Sequence, residues 1–64
     1  SDDELDKMYQ WIMNSMKVNT WYPVKTDKAY EIIMRLFNEG LIDNCEFNHN
    51  QTHFRMIDKN LLDE

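Results

Sequence analysis

The stretch from Thr26 to Gly40, TDKAYEIIMRLFNEG, limits what this chain can fold into more than any other. Its polar residues, Lys28, Glu31, Arg35, Asn38 and Glu39, recur every three or four positions, which on a helix makes one narrow stripe. The other positions (Ala29, Tyr30, Ile32, Ile33, Met34, Leu36, Phe37) face two directions at once. Thr26 is an N-cap residue type and Asp27 suits a first turn. Gly40, the only glycine, stands where a left-handed residue closes a helix. In a chain this short, a helix apolar round most of its girth belongs at the centre, touched from two sides. The expectation is that one copy of the chain leaves part of that girth uncovered.

Sixty-four residues predict a single domain, 1–64, with 1–4 and 59–64 frayed. A chain of this size buries only roughly 60% of its unfolded surface. A single cysteine excludes an internal disulfide and fits a reducing compartment. No apolar run approaches the ~20 residues of a membrane span, and the acidic start is unlike a signal peptide. A cytoplasmic location is the expectation.

Twelve acids against seven bases leave a net charge of −5. Nucleic-acid affinity comes mainly from Lys and Arg on phosphates, so this sign disfavours nonspecific binding to nucleic acid or to an anionic membrane. Five of the twelve acids lie at the ends, Asp2, Asp3, Glu4, Asp63 and Glu64; without them seven acids face seven bases. The folded body is therefore near neutral, and the charge argument against DNA is a soft one.

Before the central helix, residues 1–17 carry Leu5, Met8, Tyr9, Ile12 and Met16 at the spacing of one helical face. Ser1 with Glu4 has the form of a capping box, and Asp2, Asp3 and Glu4 suit the positive end of a helix dipole. Trp11 and Met13 fall off the stripe; Trp11 is either a second packing surface or an interaction anchor, and packing is the expected role. Residues 18–25, VNTWYPVK, favour extended backbone, a short strand or a crossing loop. After Gly40 the pattern alternates: Leu41, Cys45 and Phe47 one way, Ile42 and Glu46 the other. Beyond the polar tetrad Asn48-His49-Asn50-Gln51 it resumes with Thr52, Phe54 and Met56 against His53, Arg55 and Ile57, which reads as a β-hairpin with a four-residue loop. In the tail, Leu61 and Leu62 would dock on the first helix or hang free.

Two main helices, an extended piece between them and a closing hairpin predict a small α+β domain. The stretch RLFNEGLIDNCEFNHNQTHFRMI resembles the winged helix-turn-helix family, in which a helix ends in glycine and an apolar pair and a hairpin wing follows. The resemblance spans about residues 5–58. The family usually has three helices, whereas only eight residues separate the two here: either the middle helix is lost, or residues 1–17 merge two elements. The resemblance implies transcription-linked DNA binding through the second helix, with the wing on the backbone. Lys28, Arg35, Asn38, His49 and Arg55 would then be the contacts, Arg and Asn being the types that pair with guanine and adenine edges. Glu31 and Glu39 share that stripe and would meet phosphates, so a solvated mixed-charge face with a Glu31–Arg35 pair is the preferred reading.

Cys45, His49 and His53 form C-x3-H-x3-H, but a zinc site needs a fourth ligand and a hairpin separates these three. No metal or cofactor is expected; Cys45 reads as a small buried hydrophobe, and both histidines as exposed loop residues. A Cys–His pair without an orienting group and a pocket makes no nucleophile, so no enzyme is expected. Five Met, two Trp, three Tyr and three Phe are more than one small core hides, and such residues populate protein interfaces. The function expected is therefore a regulatory module that binds a protein partner through Trp11, Trp21, Tyr22, Tyr30 and Met34, linked to transcription or nucleic-acid machinery. Sequence-specific DNA binding is the second reading and an acidic nucleic-acid mimic the third. Homodimer and monomer stand even. The Asn-, Met- and Lys-leaning composition suggests a phage or mobile-element source.

Overall fold

A computed structural model describes residues 2–58 of the chain. Two helices, α1 (Asp2–Ser15) and α2 (Asp27–Asn38), accompany three short strands: β1 (Tyr22–Pro23), β2 (Cys45–Phe47) and β3 (His53–Met56). The strands form one antiparallel sheet in the order β1-β3-β2. The chain is a small α+β domain, and the layout is consistent with a winged helix. α1 is one continuous helix, and between it and α2 lies only β1, so no middle helix occurs there. Leu61 and Leu62 lie outside the described residues.

The two ends of α2 are closed as their residue types require. Thr26 is extended, and its Oγ1 accepts the Ala29 N–H at 3.0 Å, satisfying a donor that the first turn leaves without a partner. At the other end Gly40 sits at φ +75, its N–H donating to the Phe37 carbonyl while Leu41 N–H reaches back to Leu36. That pair of bonds is a Schellman closure, and its left-handed residue is one that glycine adopts without strain. Thr26→Ala should cost about 1 kcal/mol, read as a drop in the urea midpoint with unchanged slope.

The core draws on most of the chain: Leu5 and Ile12 from α1, Met16 just past its end, Ile33 and Leu36 from α2, then Ile42, Cys45 and Phe54. The spacing of α1 is visible in it, Leu5, Ile12 and Met16 being buried with Met8 and Tyr9 packed beside them. α2 is touched from two sides, with α1 against Ile33 and Leu36 and the hairpin against its aromatic residues. The Tyr30 and Phe37 rings lie 5.0 and 6.2 Å from Phe47. In consequence every apolar residue of α2 is buried or half-buried. The uncovered girth expected of this helix is much reduced: Phe47 of the hairpin packs on Tyr30 and Phe37, and what stays open is the side where Ala29 and Ile32 line a groove.

Two further sequence readings are corrected. The alternation groups Leu41 with Cys45 and sets Ile42 on the other side; instead Ile42 is buried along with Cys45, and Leu41 is exposed. The left-handed turn at Gly40 redirects the backbone, and strand alternation starts only at Cys45. Arg35 does not pair with Glu31 but lies between Glu39, at 3.1 Å, and Asp2 of α1, at 3.5 Å. α1 thus starts at Asp2 with side chains engaged on α2, in a turn anticipated as frayed. The hairpin loop is closed by Asn48, whose Oδ1 accepts the Thr52 and His53 N–H groups, while Gln51 takes φ 60.

Candidate functional site

Trp11, off the buried stripe of α1, packs edge-on to Tyr22, the ring centres 5.2 Å apart and the planes at 88°. It also approaches Phe54 at 6.3 Å, yet remains 39% exposed. Trp11 thus packs within the chain, as expected, and still leaves part of its ring open. One side of the ring rests on the sheet, and the other opens on a groove of about 540 Å³ between α1, the segment after β1 and the start of α2. Met8, Trp11, Val24, Ile32 and Phe54 make the apolar floor; Glu4, Lys7, Lys25 and Lys28 stand around it. The groove exists because α1 and α2 meet through Leu5, Ile12, Ile33 and Leu36 while no middle helix fills the angle between them.

The five residues expected to bind a partner do not form one surface. Tyr22 pairs with Phe54 in register and faces the core side, half-buried, with its Oη accepting the Lys17 N–H at 2.9 Å. Its neighbour Trp21, just before β1, packs beside Arg55, which alternates with Phe54 along β3 and so lies on the other face of the sheet. There it is 42% exposed, with the Arg55 guanidinium 4.6 Å from its ring centre. Tyr30 and Met34 are both half-buried, Tyr30 against Phe47. Only Trp11 and Tyr22 come together, and of these only Trp11 lines the groove, where Met8, Val24, Ile32, Lys7 and Lys25 join it without having been singled out from sequence as binding residues.

The expected DNA contacts are placed equally unevenly. Lys28 lies 3.4 Å from Glu4, and Arg35 sits between two carboxylates. Arg55 donates through Nε to Glu46 Oε1 at 2.7 Å and through its terminal nitrogen to the same oxygen. Asn38 and His49 are exposed. The acids of α1 thus lie along the face that would enter a groove of DNA. Such exposed pairs contribute little to stability, but they lower the positive potential of that face.

Cys45 is buried and free, and burial, with Asp43 adding to it, pushes its thiol up to about 11. His49 is exposed on the hairpin loop, whereas His53 is a half-buried residue of β3 whose Nδ1 lies 2.9 Å from Thr52 Oγ1. Among the described residues, no three of His, Cys, Asp and Glu are grouped to hold a metal ion. No described helix is long and apolar enough to cross a membrane. Compared with protein-family models, curated proteins and solved structures, the chain matches none.

Proposed function

We propose that this chain is a small regulatory or interaction module on a winged-helix-like frame, without enzymatic activity of its own, that acts by binding a protein partner. The observation that carries the reading is the open groove beside α1, with an apolar floor and a tryptophan that the fold leaves 39% exposed. Apolar grooves rimmed by polar groups are where peptides and helices of partners dock. The lining offers lysines, a threonine and one carboxylate, and that carboxylate is paired with Lys28. This suits holding a partner better than moving protons. A link to transcription or nucleic-acid machinery and a phage source rest on the family resemblance and composition alone.

Site-specific photo-crosslinking in the source cells tests the reading. A crosslinker at Lys7, beside the groove, should give a discrete protein adduct. One at Glu31, on the exposed stripe of α2, should not. Adducts from Glu31 alone, or none from Lys7, would sink it. Sedimentation of the pure chain tells a self-adduct from a foreign one.

Sequence-specific DNA binding is the second reading, favoured only by the exposed Arg35 and Asn38 on α2. A salt titration separates it: no duplex binding at low salt removes it, and a slope of several counterions would put it first. The acidic mimic is weakest, since Asp2, Asp3, Glu4, Glu39 and Glu46 are each engaged by a cation of the chain itself.

A further inference from the structure

The groove beside Trp11 has a charge opposite to that of the chain as a whole. Of seven cationic side chains, Lys7, Lys25 and Lys28 line it together with one acid, Glu4. The rest of the chain is left with eleven acids (twelve less one) and four bases (seven less three). Lys7 and Lys28 hold exposed acids at 3.5 and 3.4 Å, pairs weak enough for an incoming carboxylate to replace. No ion pair occupies Lys25 among the described residues.

The backbone of the groove wall narrows the kind of partner further. Strand addition needs a row of free N–H and C=O groups along an edge. β1 is two residues long and one of them, Pro23, has no N–H. The next donor, Val24 N–H, is taken by the Thr52 carbonyl at 2.8 Å. Recognition in this groove must therefore run through side chains: apolar anchors on Met8, Trp11 and Ile32, with charges at the rim.

We infer that the groove receives an acidic amphipathic helix of a partner protein, its apolar stripe on the Trp11 floor and its carboxylates on Lys7, Lys25 and Lys28. This rests on the protein-binding reading above and adds the chemistry of the partner. A helix presents anchors at i, i+3 or i+4 and i+7 without needing backbone donors from its receptor. The lysines steer an acidic helix in and turn a basic one away.

The probe is a synthetic amphipathic helix of about four turns, with leucines at helical spacing and glutamates flanking them. Its counterpart carries lysine for every glutamate. Binding is followed in the amide spectrum of the isotope-labelled chain. The acidic helix should bind with a Kd on the order of 10–100 µM, shifting Met8, Trp11, Val24, Lys25 and Ile32. The double variant K25E/K28E, altered only at exposed positions and checked for an unchanged urea midpoint, should bind at least tenfold more weakly. Equal binding of the lysine helix, shifts centred on Trp21 and Arg55, or no shift at saturating peptide would overturn the inference. A crosslinked partner attached at Lys7 through a segment that is not an acidic helix would also overturn it, while leaving the protein-binding reading intact. If the peptide gives no shift and Lys7 no adduct, both fall.

Discussion

Leu36→Ala should lower the stability of the chain by about 2–5 kcal/mol, bringing it close to unfolding at room temperature. At about 0.05–0.15 kcal/mol per residue, a chain of this length has roughly 3–10 kcal/mol in all. Leu36 is fully buried in the one core cluster, with Leu5, Ile12, Ile33, Ile42 and Phe54. Truncation there loses apolar burial and leaves a void that a core of so few side chains cannot collapse around. The matched control is Leu41→Ala, the next leucine along, which is 48% exposed and should shift stability by no more than ~0.5 kcal/mol. Urea titrations by circular dichroism compare the two. Equal losses at Leu36 and Leu41 would contradict the placement of both, and with it the turn at Gly40 that leaves Leu41 outside.

Raising the pH from about 9 to about 11 should destabilise the fold through Cys45. Burial holds the thiol in its neutral form, and the nearby Asp43 charge adds to this, so its pKa rises from 9.0 to about 11. Below pH 9 the thiol is protonated in both the folded and the unfolded chain, and its contribution to stability is fully present. Between the two values the unfolded chain releases a proton that the folded chain keeps, so stability falls as pH rises. Above about 11 both states carry the thiolate and the loss levels off. The decline is on the order of 2–3 kcal/mol. Cys45→Ala should lower the starting stability by removing a buried sulfur but flatten this alkaline step. A Cys45→Ala variant with the same slope between pH 9 and 11 would show that other groups govern it.

Much of the architecture was legible beforehand, and the reason differs from element to element. The bounds of α2 were readable because Thr26 and Gly40 each do a local job that few other residues do as well: one accepts an orphan N–H, the other takes a left-handed φ. The face of α1 was readable because Leu5, Met8, Ile12 and Met16 repeat at the period of the helix. The hairpin showed through Phe54 and Phe47 on either side of a polar loop. Leu41 and Ile42 misled because alternation was projected onto residues that belong to a helix closure. The groove was not legible at all: Lys7, Met8, Val24, Lys25 and Ile32 come from three separated stretches, and none of them signals its neighbours.

By itself, the order of residues decided much of the local structure of this protein: where α2 starts and stops, which stripe of α1 turns inward, where the hairpin bends. These follow from hydrogen bonds and side-chain periods within a few residues of one another. Only the tertiary structure decided which apolar groups remain outside. Phe47 of the hairpin packed on Tyr30 and Phe37 of α2, so that of the five residues expected on one surface Trp11 stays open on the groove and Trp21 lies apart from it beside Arg55. The gathering of three lysines around Trp11 depended on the angle at which two helices meet and on the absence of a third between them. Exposure is a property of what packs against a residue from far along the chain, and no local pattern encodes that distance.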